Sequence, residues 1–257
     1  MSDATKNVTE YLFQNMSFED LRHKGNLLLE EKNYSEANRY FTKALERQPN
    51  NLFAYHNKAI AQMAQGEYKQ AIEDYTKALE RNPILLGRAY CYGKIGEYKK
   101  AIEDYTNVIL LNPYHSNYAY YNRALAYQRI EEFGKAIKDY TVWLDRYSHH
   151  PLDTGVSKGA IVATSAYSNR GTCHHNLKNY RKAIEDYNKV IEIDPLSKEA
   201  EYIMGNLDVL TGLIKNKTLY VQSGGGIVAD SKQPSEYNEI INKAKAVLNA
   251  SDDAINF

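Results

Sequence analysis

Three kinds of side chain in this sequence could carry chemistry. Cys173, His174 and His175 stand in a row, and His149 and His150 form a second pair. Such residues hold metals or build a nucleophile with its base. The segment IEDY occurs three times and sets carboxylates side by side at Glu73/Asp74, Glu103/Asp104 and Glu185/Asp186, the residue type for acid–base work. Asn57, Asn122 and Asn169 carry amides that donate and accept together, which suits gripping a peptide backbone rather than catalysis.

The spacing argues against metal and catalysis. Neighbouring histidines on a helix point about 100° apart, a poor chelate geometry. His149 and His150 have no cysteine or acidic cluster beside them. The IEDY carboxylates return with all their surroundings, which predicts a repeated, solvated helix surface. The sequence contains no glycine-rich phosphate loop, nucleophile elbow or HExxH. No enzyme activity, cofactor or metal is expected.

The elements that position these residues are written in an echo. Residues 66–83 read GEYKQAIEDYTKALERNP and residues 96–113 read GEYKKAIEDYTNVILLNP. Four landmarks run through the chain in step. A small residue stands at Gly25, Ala59, Ala89, Ala124 and Gly171. An aromatic follows at Tyr34, Tyr68, Tyr98, Phe133 and Tyr180, then an alanine at Ala37, Ala71, Ala101, Ala136 and Ala183. Pro49, Pro83, Pro113, Ser148 and Pro195 close the units. Every row gives gaps of 34, 30, 35 and 47 residues, so the chain is an internal repeat.

Each unit reads as two helices. In the second, Ala54 to Ala64 lacks Gly and Pro, Gln65-Gly66-Glu67 turns the chain, and Tyr68 to Arg81 follows. Tyr68, Ala71, Ile72, Tyr75, Ala78 and Leu79 fall on one helical face. Asn82-Pro83 stops the helix. The small landmark belongs where two antiparallel helices come closest. Most of the 23 tyrosines fill recurring packing slots. Cys91 and Cys173 share a slot with Ala61 and Ala126, which makes them small packing residues.

The 34-residue period, the small, Tyr, Ala and Pro landmarks and the helix–turn–helix unit resemble the tetratricopeptide repeat. The resemblance implies an all-α, right-handed solenoid of five two-helix units. The expected organisation is an N-terminal extension over 1–17 and a superhelical domain over 18–216, with units at 18–51, 52–83, 84–113, 114–148 and 164–195. An insertion at 149–163, a capping helix at 197–215, a linker at 217–234 and an amphipathic tail helix within 235–257 complete it.

Composition narrows the function. Lys plus Arg is 32 and Asp plus Glu is 32. That balance lacks the basic field that nucleic-acid binding needs. Two cysteines cannot form a disulfide framework. The polar start MSDATKNVTEYLFQNMS has no apolar signal core, and no run nears the roughly 18 apolar residues of a membrane span. A cytoplasmic protein that contacts neither membrane nor nucleic acid is expected.

Where copies differ, function is expected. The third unit is four residues short, the loss lying between Pro83 and Ala89, about one helical turn. The fifth is preceded by thirteen extra residues, predicting a loop at 149–156 and a long helix from near Ser157. Trp143 takes a slot held elsewhere by Ala44, Ala78, Val108 and Val190. It either fills space opened by the displaced fifth unit or faces a partner. The tail, with Tyr237, Ile240, Ile241, Ala244, Val247 and Leu248 on one face, docks on the capping helix, in trans as a homodimer, or in the protein's own groove. Self-docking or dimerisation is thus expected through residues 197–250.

Stacked helix pairs curve, and their first helices line the concave side. That face carries Arg22 and Asn26 in the first unit and Phe53, Asn57, Ile60 and Met63 in the second. It carries Tyr90 and Lys94 in the third, Tyr118, Tyr121, Asn122, Leu125 and Arg129 in the fourth, and Asn169 in the fifth. The resemblance implies that asparagines at 57, 122 and 169 hold a peptide backbone, each bond contributing about 1 kcal/mol. Gly87 interrupts the ladder in the third unit. The expected partner is a protein or peptide segment. One alternative is a subunit of a larger assembly that acts through the C-terminal helices, and another is a co-chaperone that clamps acidic chaperone tails, which Arg22, Asn26 and Asn57 match. The third unit departs from that pattern: Leu86 and Gly87 stand near the clamp cations' place, and Arg88 should face elsewhere.

Overall fold

The computed structural model describes residues 11, 13–78, 85–149, 156–194 and 203. Apart from Ile203, the expected capping helix, linker and tail helix lie outside them. The described residues contain ten α-helices, one short 3-10 helix and no strand. The helices are α1 (Phe18–Glu30), α2 (Tyr34–Arg47), α3 (Leu52–Ala64), α4 (Tyr68–Ala78), α5 (Leu86–Lys94), α6 (Tyr98–Leu111), α7 (Asn117–Arg129), α8 (Phe133–His149), α9 (Val156–Asn176) and α10 (Tyr180–Ile193). The 3-10 helix is Pro113–His115. Odd helices are the first of each pair and even helices the second, so the described residues are all-α and run as successive antiparallel pairs. It forms two compact units, residues 1–126 and 127–257.

The same turn joins every pair. Lys32, Gly66, Gly96, Glu131 and Lys178 all have positive φ, from 59° to 83°. In each, the next amide reaches back five residues, as Glu67 N does to the Gln62 carbonyl at 2.9 Å. This left-handed C-terminal cap satisfies orphan carbonyls and reverses the chain. Glycine adopts it freely; Lys and Glu do not.

Packing in the first unit follows one rule: each second helix is buried between its own first helix and the next one. Leu28, Ala37, Phe41 and Ala61 form one such cluster across α1, α2 and α3. Ala59, Ala71, Tyr75 and Cys91 form the next across α3, α4 and α5. Ala89, Ala101, Tyr105, Ile109 and Ala119 form a third across α5, α6 and α7. Phe13, from the N-terminal extension, is 3% exposed and packs edge-on to Tyr40 at 4.9 Å. Arg47 holds that segment by donating to the carbonyls of Phe13 and Gln14.

The small landmark is small because an aromatic ring lies across it. A Cβ on Gly25 would stand 2.7 Å from the Phe41 ring, and one on Gly171 2.7 Å from Tyr187. Trp143 is 3% exposed, which fits space-filling. With Ser148 in place of proline, α8 runs on to His149.

The IEDY carboxylates correct the sequence reading. Asp74, Asp104 and Asp186 are each 4% exposed. Only their glutamate neighbours reach solvent. Asp104 accepts two bonds from Arg88, at 2.7 and 2.8 Å. Asp186 accepts from Arg170 at 2.9 and 2.6 Å, and Lys58 stands 2.9 Å from Asp74. The sequence hid this because Asp and Glu alternate between buried and open faces of one helix. The remaining guanidinium nitrogen of each arginine crosses to the preceding pair, Arg88 to Thr76 at 3.1 Å and Arg170 to Thr141 at 3.0 Å, and Arg123 likewise reaches Thr106 at 3.0 Å. Each threonine hydroxyl donates in turn to a carbonyl four residues back. One planar fork therefore fixes both the pair and its junction with the last.

Candidate functional site

The face expected to bind is carried by α1, α3, α5 and the start of α7 in the first compact unit. Helix starts explain its order. Ser17 caps α1 in a reciprocal box with Asp20, and Asn51 caps α3 by accepting from Ala54 N at 3.0 Å. Helix α5 starts at Leu86, three residues before its landmark Ala89, whereas α3 starts seven before Ala59. The missing turn removes the position that would continue the face.

Three aromatics on this face reach solvent: Phe53 is 70% exposed, Tyr118 63% and Tyr90 38%. Lys94 Nζ sits 5.1 Å over the Tyr90 ring, and Tyr68 meets that ring edge-on at 6.4 Å. Ile60 and Met63 are half-buried against the α3–α4–α5 cluster, leaving part of each to the surface. Tyr121 and Leu125 are half-buried on α7.

The amides are already engaged with the protein. Asn57 Nδ2 donates to Asn26 Oδ1 at 2.8 Å, which joins the first and second pairs. Asn122 Nδ2 donates to the Tyr118 carbonyl at 2.8 Å. Arg22 is held by Glu19 at 2.7 Å. Gly87 breaks the amide row for a steric reason: a Cβ there would lie 2.5 Å from the Tyr75 hydroxyl and ring. His56, beside the row, stacks edge-on to Tyr75 at 5.7 Å. Its burial pushes the imidazole below the ordinary 6.5.

Arg88, the cation nearest the chaperone-tail clamp, faces Asp104 instead. Its bond to that carboxylate raises its pKa. Arg129 is exposed and Asn169 half-buried, and both belong to the second unit. His174 is 8% exposed while His175 lies open beside Tyr180, so the two rings diverge. Cys91 and Cys173 are fully buried, and burial pushes their thiols up to about 11 and about 12.

Sequence models of the tetratricopeptide repeat family match residues 18–51, 53–83, 84–115 and 164–195, half of the chain. With the helix pairs and turns above, this shows that the chain belongs to the tetratricopeptide repeat family. Among solved structures it resembles YrrB, described as a TPR protein with an unusual peptide-binding site, at a TM-score of 0.61 and 20% identity over 78% of this chain and 97% of that one. It also resembles MamA from Desulfovibrio magneticus RS-1 (TM-score 0.60, 20% identity, 70% and 97% covered) and pilF of Pseudomonas aeruginosa (0.56, 18%, 76% and 83%). At these identities the likeness is one of fold.

The C-terminal part matches something else. Residues 206–249 match the chorismate binding enzyme family. A 50-residue stretch is 58% identical to anthranilate synthase component 1 of Mycolicibacterium smegmatis, covering 18% of this chain and 10% of that protein. The same component of Neisseria meningitidis serogroup B is 56% identical over 43 residues, 17% of this chain and 9% of that protein. The chain spans about a tenth of the length of these curated relatives. Read from the sequence alone, these residues fall to the end of the expected capping helix, the linker and the tail helix.

Proposed function

We propose that the protein is a non-catalytic interaction adaptor whose first compact unit binds an extended peptide or protein segment along α1, α3, α5 and α7. The observation that carries this is the juxtaposition of exposed Phe53, Tyr90 and Tyr118 with the amides of Asn26, Asn57 and Asn122. Exposed aromatics on rigid helices are the residue type that anchors partners. The likeness to YrrB, a TPR protein with a peptide-binding site of its own, supports the reading. Two buried thiols suit a reducing, cytoplasmic setting. No helix among the described residues is long and apolar enough to cross a membrane.

The test is a quantitative pull-down from source-cell lysate with wild type, Asn57→Ala/Asn122→Ala and Phe53→Ala/Tyr118→Ala, each checked by circular dichroism. Partners lost with both variants support the face as the binding site. Partners kept by both overturn it.

A second reading, chorismate binding by the C-terminal part, is favoured by the match over 206–249. Calorimetric titration of chorismate into the full chain decides it: saturable heat supports the reading and its absence retires it.

A further inference from the structure

The 18 residues from Tyr105 to Asn122, YTNVILLNPYHSNYAYYN, contain no Asp, Glu, Lys or Arg, in a chain that is 25% charged. They run from the second half of α6, through the 3-10 helix, into α7. Their inward side chains, Tyr105, Ile109 and Ala119, belong to the core. Their outward ones should be polar by the logic of a solvated helix. Instead Leu110 is 72% exposed, Leu111 59% and Tyr114 84%.

The repeat supplies its own control. The positions of Leu110 and Leu111 hold Glu46-Arg47, Glu80-Arg81, Asp145-Arg146 and Glu192-Ile193 in the sister helices. Four copies of this helix thus open the pair with an acid, and only α6 opens it with leucine. The scaffold does not ask for leucine here. The two side chains leave apolar area in water, an unfavourable exposure until it is covered.

We propose that the charge-free edge around Leu110, Leu111 and Tyr114 is a self-complementary interface on which a second copy of the chain docks through the same edge about a two-fold axis. In such an interface each residue near the axis meets its own counterpart. A charged edge would face like charge there; leucine and tyrosine meet themselves without penalty. Exposed Asn107 and Asn112 flank the leucines, and an amide both donates and accepts, so they too can pair with their own copies. A different protein would be selected by complementary charge, and this edge has none to offer. A charge-depleted, tyrosine-bearing centre is also what interface cores show.

The experiment is sedimentation of the full chain over a concentration series. Wild type should sediment at twice the chain mass of 29.4 kDa, and should do so equally in low salt and in about 1 M salt. Leu110→Glu/Leu111→Arg restores the sister pair and suits an exposed helix; it should sediment at 29.4 kDa with unchanged circular dichroism. The dissociation constant should rise roughly thirtyfold or more. Tyr114→Cys should give a covalent dimer on oxidation, since Cys91 and Cys173 are buried. Wild type monomeric up to roughly 100 μM, or the double variant still dimeric, overturns the proposal. Neither variant alters Phe53, Tyr90, Tyr118 or the amides of Asn26, Asn57 and Asn122, so failure here leaves peptide capture unchanged.

Discussion

The third and fifth helix pairs depart from the repeat in opposite directions. Helix α5 has 9 residues and α9 has 21, against 13 for α1, α3 and α7. Yet Arg88 and Arg170 make the same three-way contact, to an aspartate on their own pair and a threonine on the preceding one. Length varies only on the N-terminal side of the arginine. The lesson is that the junction is set by one buried node, and that the helix beyond it is free to shorten or grow. That freedom is where the proposed binding face has Gly87 in place of Asn and where the fifth pair takes its insertion.

The sharpest way to break this comparison is to remove the fork from both pairs. Arg88→Met and Arg170→Met each leave a buried aspartate unpaired and should each cost about 3 kcal/mol or more, read from urea midpoints. Unequal costs would mean that helix length, not the node, holds one junction. Next come the thiols of the same two pairs. Their folded values of about 11 and about 12 stand above the ordinary 9.0. Above pH 9 the unfolded chain therefore loses protons first, and stability falls as pH rises through the folded values. Buried Tyr75 and Tyr105, also raised by burial, add to the fall at higher pH. Cys91→Ala and Cys173→Ala should each flatten the alkaline limb, read from urea midpoints between about pH 8 and 11.

A smaller effect separates the pairs by their landmark. Gly171→Ala should cost about 1–3 kcal/mol, because Tyr187 must move. Ala89→Gly in the third pair should cost about 1 kcal/mol through helix propensity, with a further loss from its buried methyl. The smallest effect is a gain. Lys178, with φ 60°, occupies the turn slot that Gly96 fills in the third pair at 83°. Lys178→Gly relieves left-handed strain and should add up to about 1 kcal/mol. Gly96→Ala should cost a similar amount, both by thermal unfolding.

Much of the architecture was legible without coordinates. Period, helix pairs and turns follow from residue spacing, since a helix sorts its faces by number alone. The lost turn before Ala89, the long fifth first helix and the packing of Cys91 and Cys173 were equally readable. The arginine–aspartate–threonine node was not, although its parts repeat in register. Spacing within one helix cannot say which side of the next helix a carboxylate meets. For the same reason the capture of Asn57 by Asn26, 31 residues away, was beyond reach.

By itself, then, the sequence determined the repeat, its class and the positions where copies differ. Those depend on local backbone preferences and on apolar periodicity, which act over one or two turns of chain. Only the tertiary structure decided which polar groups are buried and with what, and which apolar groups stay in water. Asp104 is hidden and Leu110 is bare because neighbouring helices cover one side of α6 and leave the other open. A lone helix treats both sides alike.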